Sequence, residues 1–224
     1  MRIGIKLVLS FLLIVALVLG SLTVVTTNLI NTQTMALAQD VVDENLRAAW
    51  IQFYVRGDQM RFGMLQAAAT PQLRDAVAAR DEDYLRNIMF KYRKERPYVD
   101  IFAITDERGI VIAKLGEQPI GEASLREVVR SALVLGEAQV KVELLSSEVI
   151  AACGEEALVS KLGSLGLEEG MSLVAVAPVF KDNKLVGTIV TADLLVEDFF
   201  VVDELGKRFS NAAFLIAQGD AVIS

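Results

Sequence analysis

An α+β fold is predicted: a membrane-spanning helix, a long helix continuing from it, and a small antiparallel sheet with helices on one side. Three observations predict it. Leu7 to Gln39 contain no charged side chain and follow the basic Arg2 and Lys6. Apolar residues then recur at helical spacing as far as Pro97. Beyond Pro97 the period falls from 3.6 to 2, the signature of strands.

The N-terminal run is densest in LVLSFLLIVALVLG, Leu7 to Gly20, and SLTVVTTNLI extends it to Ile30. About 20 apolar residues suffice to cross a bilayer core, so residues 7–30 are read as a transmembrane helix. Basic flanks stay on the cytoplasmic side, which puts residues 1–6 in the cytoplasm and the bulk of the chain on the periplasmic or extracellular side of a cell inner membrane. A rival reading is a secretory signal cleaved after Ala38, where Ala36-Leu37-Ala38 has small-residue character. The apolar stretch exceeds the usual signal core of roughly 7–15 residues, so the uncleaved anchor is preferred.

Composition narrows the chemistry. Net charge is −7, and taking away Arg2 and Lys6 leaves −9 for the exported part. An acidic surface argues against nucleic acid as a partner. The chain has no histidine, hence neither the commonest catalytic base nor the commonest metal ligand. Cys153 is the single cysteine, so no intrachain disulfide forms. No catalytic residues, metal ligands or cofactor are assigned, and the chain is not read as an enzyme.

Residues 31–96 form the helical part. Val42, Leu46, Ala49, Phe53, Met60 and Met64 make an apolar stripe with one turn skipped at Gly57. The stripe packs on its own domain or, near the membrane, pairs with a second copy. Helices are expected at 72–79 and 81–95, with Asp81 as N-cap and a stop before Pro97. Residues 97–195 form the sheet module. Val99 to Thr105 is a strand, Asp106-Glu107-Arg108-Gly109 a turn and Ile110 to Lys114 the return strand. A helix over 122–135, a strand over 139–145 and helix from Ser146 to Leu162 broken at Gly154 follow. Ser172 to Phe180 and Leu185 to Asp193 are strands around the Lys181-Asp182-Asn183-Lys184 turn. Residues 196–224 hold a connecting helix, read from Leu195 to Phe209, and the start of another strand at Phe214 to Ala217. FAITDERGIVIA and AFLIAQGDAVIS share a strand–turn–strand pattern, each after an amphipathic helix. A second, incomplete sheet module is therefore expected near residue 212, as though the chain were the front part of something longer.

On these residues the chain resembles the extracytoplasmic input region of a bacterial chemoreceptor or sensor histidine kinase of the Cache type, double-Cache in particular. The basic start, MRIGIKLVLSFLLIVALVLG, the long helix and a PAS-like sheet follow that family's order. LVAVAPVFKDNKLVGTIVTADL, Leu173 to Leu194, is similar to its strand, Ala-Pro-Val, polar turn, Leu-Val-Gly, strand signature. The chain departs from the pattern in lacking a second membrane helix, linker and signalling part. The resemblance implies a membrane-anchored sensing module for chemotaxis or two-component signalling, with a small-molecule carboxylate or amine ligand and homodimerisation. The family's aromatic and arginine cluster for amino acids is not recognisable as such. Its nearest counterparts are Tyr92, Arg93, Arg96, Tyr98 and Asp100, and Asp193 falls loosely at the amine-binding aspartate. The ligand-binding residues expected are Arg93, Arg96, Tyr98, Asp100, Phe102 and Asp193, around a cleft between the hairpin from Val99 and the strand ending at Asp193. The alternative is a membrane-tethered dimerisation module without a ligand.

Each of these residues also has a structural reading. Lys91, Arg93, Lys94 and Arg96 can simply complement a helix C-terminus, or Arg93 or Arg96 can hold a carboxylate. Asp106 opens a turn, Ser147 caps a helix, Cys153 packs as a small apolar residue, and Asp193 serves as a ligand contact or a cap.

Overall fold

The computed structural model describes residues 2–116, 122–196, 200–208 and 214–223. Residues 197–199 and 209–213 of the expected connection, where the second module is expected to begin, lie outside the described residues, as do 117–121 and the two terminal residues. The chain divides into two units, Met1–Ala49 and Trp50–Ser224.

The described residues of the first unit are all helical, the N-terminal part of α1, Arg2–Ala69. The expected span and the long helix after it are one continuous helix, with no Pro to interrupt the run. This is the one helix among the described residues long and apolar enough to cross a membrane. Val42 and Leu46 of the predicted stripe are exposed here.

The second unit begins with the rest of α1. α2, Pro71–Ala79, starts on a proline, where the missing N–H costs nothing. α3, Glu82–Glu95, is capped by the Asp81 carboxylate, which accepts from Tyr84 N at 3.1 Å, and ends ahead of Pro97 as expected. β1, Ile101–Asp106, and β2, Val111–Lys114, form the first hairpin. Asp106 accepts from the N–H groups of Arg108 and Ile110, both at 2.9 Å, and Gly109 takes φ 81°. α4, Glu122–Leu135, and β3, Gln139–Ser146, follow, then α5, Ser147–Ala152, and α6, Glu156–Ser164, parted at Gly154. β4, Glu169–Lys181, and β5, Lys184–Leu194, join through Asp182 and Asn183, both at positive φ as a type I′ turn requires. All pairings are antiparallel, in the order β2-β1-β5-β4-β3.

Helices cover both faces of this sheet, not one as expected. One face buries Phe102, Ile104, Leu173, Ala175 and Ile189 against Met60 and Met64 of α1, Leu73 of α2 and Leu85 and Met89 of α3. The other buries Ile101, Val174, Val176, Val190 and Ala192 against Val129 of α4, Ile150 of α5 and Leu162 of α6. Strands buried on both faces lose polar alternation, so β5 reads as a continuous buried run from Gly187 to Leu194.

Three local expectations are corrected. The last long helix, α7, is Phe200–Arg208 and does not start at Leu195. Leu195 and Val196 instead prolong the strand's burial in the second cluster. The strand expected at Phe214 is the hairpin β6, Ala217–Gln218, with β7, Ala221–Val222, around Gly219. The N-cap of α5 is Ser146, and the Ser147 hydroxyl donates to Glu168 O at 2.7 Å.

Candidate functional site

The expected site residues fall into three groups. β1 and β5 are hydrogen-bonded neighbours, Ile101 opposite Ala192, so no cleft opens between them within the sheet. Their polar groups lie at one end of the pair.

Asp193 is near the end of β5, opposite Leu173 of β4, so it points to the face covered by α1, α2 and α3. Its Oδ2 accepts from Nε of Arg56 on α1 at 2.8 Å, with side-chain exposures of 2% and 5%. Tyr98, just past α3, lies flat beneath the guanidinium, 3.5 Å from ring centroid to Cζ. The stack Tyr98–Arg56–Asp193 therefore ties α1 to the sheet by charge and by a cation–π contact. Thr191, two residues earlier on the same strand, shares that face and sits opposite Phe102. Its buried hydroxyl has no hydrogen-bond partner among the described residues.

Arg96 and Phe102 form the second group around Tyr92. The Arg96 guanidinium lies 4.1 Å from the Tyr92 ring centre, and the fully buried Phe102 meets Tyr92 edge-to-face at 5.2 Å. Burial pushes the Tyr92 phenol up to about 12, against the pull of Arg96. A Cβ at Gly63 of α1 would collide with the Tyr92 hydroxyl, so that glycine lets α1 and α3 close over the ring.

The remaining two stand apart. Asp100 closes the end of the β1–β5 pair, its Oδ2 accepting from Leu194 N at 2.8 Å. Arg93 reaches away from the site and pairs with Glu155 ahead of α6.

Sequence reasoning missed Arg56 and Thr191. Arg56 had a signal: Phe53, Arg56, Met60 and Met64 follow spacings of three and four, placing a charge on the apolar stripe itself. Thr191 had none, being one of several β-branched residues in a buried strand.

The opposite face carries a smaller polar set. The Thr105 and Thr188 hydroxyls bond at 2.7 Å, and the buried Lys114 ammonium donates to Gly116 O at 2.9 Å and Ala152 O at 2.5 Å. Burial pushes the neighbouring Cys153 thiol up to about 11, against the pull of Lys114. Among the described residues no cluster of three metal-ligating side chains occurs.

The fold, a long N-terminal helix leading into a five-stranded antiparallel sheet, is similar to that of several solved PAS-like sensor domains. It is similar to the periplasmic domain of LuxQ from Vibrio cholerae, with a TM-score of 0.57 and 12% identity, over 80% of this chain and 76% of that one. The extracellular domain of a protein described as histidine kinase vpHK1S-Z8 gives a TM-score of 0.50 at 13% identity, over 73% of this chain and 58% of that one. A domain from Vibrio parahaemolyticus, of a protein described as sensory box/GGDEF family, gives 0.50 at 13%, over 73% and 61%. The chain thus spans about three-fifths of the latter two. No family model and no curated protein matches the sequence.

Proposed function

We propose that this chain is a membrane-anchored, extracytoplasmic ligand-sensing input module for transmembrane signalling, single-pass in the inner membrane with its N-terminus in the cytoplasm. Its ligand is a small molecule bearing an amine, a carboxylate or both, received around Tyr98, Asp193, Arg96, Asp100 and Phe102, with Arg93 at the margin. The chain works as a homodimer.

The observation that carries this reading is the buried Arg56–Asp193 pair beside the orphaned Thr191 hydroxyl. A buried polar group without a partner is rare enough to ask for an explanation. An amine can replace the guanidinium at Asp193, a carboxylate can take Arg56, and a zwitterion can enter between them with both charges answered. Thr191 then gains the partner it lacks. Displacing Arg56 changes how α1 is held on the sheet, and α1 is the helix whose N-terminal part is the apolar segment. A ligand biases such a change only through different affinities for the two arrangements.

The test is a thermal-shift screen of the full chain in detergent against amino acids, organic acids and amines. A ligand present at about 100 times its Kd stabilises the folded state by roughly 2.7 kcal/mol. The reading expects at least one such class to raise the melting temperature in wild type and not in Asp193→Asn. No shift from any class contradicts it and favours a ligand-free dimerisation module.

A further inference from the structure

We propose that the outward face of α1 in the second unit pairs in parallel with the same face of a second copy, along a seam of Ile51, Val55, Asp58, Phe62 and Leu65, and that Asp58 sets the register of that seam and keeps it weak. The proposal rests on the homodimer of the reading above and not on its ligand.

Two stripes run along this part of α1. Arg56, Met60 and Met64 are buried against the rest of the unit, with Phe53 partly buried beside them. Ile51, Val55, Phe62 and Leu65 are 38% to 61% exposed. At about 3.6 residues per turn the two stripes fall on opposite sides of the helix. A row of exposed apolar side chains marks an interaction surface.

The spacing identifies the occupant. With Asp58 included, the intervals along the outer stripe are four, three, four and three residues. That is the repeat by which one helix packs along another. Two copies anchored in one membrane through α1 carry their helices parallel. A two-fold axis alongside the helices then puts each sheet on the outside of the pair, clear of the other. The flanking positions suit this arrangement. Arg61 falls beside Gln66 of the second copy and Tyr54 beside its Gln59, so no like charges meet across the flanks.

Asp58 is the one charged side chain in the seam. In register it lies beside Asp58 of the second copy, each carboxylate held by its own Arg61, whose Nε and Nη2 donate at 3.2 and 3.0 Å. Sliding one copy by a heptad sets Asp58 against Leu65 and Ile51 against Asp58, giving two mismatched layers in place of one polar layer. A single polar layer fixes register at a cost in stability. Arg56 belongs to the same turns on the inner side, so the way α1 is held at Asp193 also sets how the seam is presented.

The experiment uses the full chain, in liposomes for cross-linking and in detergent for sedimentation equilibrium. Val55→Cys is expected to form a covalent dimer under mild oxidation, because facing seam positions come within the roughly 4.4–6.8 Å between Cα atoms that a disulfide spans. Trp50→Cys, off the seam, Val142→Cys on β3, and wild type with its buried Cys153 are expected to stay uncoupled. In sedimentation, Phe62→Glu is expected to weaken the dimer about tenfold or more, and Asp58→Leu to strengthen it about tenfold. Far-UV circular dichroism confirms that each variant is folded. A wild type that sediments as a monomer at every concentration contradicts the homodimer itself. A wild-type dimer that Val55→Cys does not lock, that Trp50→Cys locks equally well, or that Phe62→Glu leaves intact keeps the homodimer and overturns the seam. An Asp58→Leu dimer no tighter than wild type overturns the role given to Asp58.

Discussion

Replacing Asp193 by alanine should cost the second unit a large part of its stability. The Arg56 guanidinium would stay where α1 places it, 5% exposed, with its carboxylate partner at 2.8 Å gone. Removing one member of a buried pair costs about 3–5 kcal/mol, because the remaining charge loses its closest counter-charge after being taken out of water. Tyr98 at 3.5 Å stays in place and offsets part of this, so the lower half of that range is expected. For a unit of this size each kcal/mol lowers the melting temperature by roughly 2–4 °C, giving a fall of about 6–16 °C. The pair itself contributes much less, since most of the Coulomb gain repays desolvation. Arg56→Met with Asp193→Leu should therefore melt close to wild type. The assay is chemical and thermal denaturation of the three variants, followed by circular dichroism. A melting temperature for Asp193→Ala within a degree or two of wild type would refute the reasoning, as would a double variant no more stable than the single one.

Three further outcomes follow from the same geometry. Thr191→Val replaces the orphaned hydroxyl with a methyl of similar size and should stabilise the ligand-free protein by about 1–3 kcal/mol, seen as a raised melting temperature. Gly187→Ala should be strongly destabilising, at least about 3 kcal/mol in urea titrations, because the new Cβ would overlap the Thr105 carbonyl oxygen of the neighbouring strand. Stability should fall above about pH 9. The Cys153 thiol, raised to about 11, keeps its proton in the folded state while the unfolded chain loses its own, so the unfolded state binds fewer protons and gains on the folded one as pH rises. Denaturant midpoints measured from pH 8 to 11 check this, and Cys153→Ala should flatten the slope.

Much of the fold was legible because its signals are local. Pro97 ends α3, Asp182-Asn183 makes the β4–β5 turn, Asp106 and Gly109 make the first hairpin, and the apolar spacing over 122–135 gives α4. What escaped depends on contacts distant in sequence. That both sheet faces are covered follows from where α4, α5 and α6 pack, which no strand's own composition reveals. Leu195 and Val196 looked like the start of an amphipathic stripe, yet they continue a strand's burial, since a short apolar run fits either element. Of the candidate site, Asp193, Tyr98 and the Tyr92–Arg96–Phe102 neighbourhood were found in sequence. The partner that gives Asp193 its setting lies 137 residues away, and only its place on the α1 stripe hinted at it. Arg93 stands among basic neighbours in the sequence, and nothing local marks its partner Glu155, which lies ahead of α6.

The central claim is that a ligand enters at the Arg56–Asp193 pair. The measurement that tests it most directly is the ligand-induced change in melting temperature of wild type against Arg56→Met with Asp193→Leu, using the amines, carboxylates and amino acids of the screen. The account predicts a rise in wild type for at least one compound class and none in the double variant, although both melt at similar temperatures without ligand. An equal rise in both proteins would place the ligand elsewhere, and no rise in wild type would contradict the claim outright.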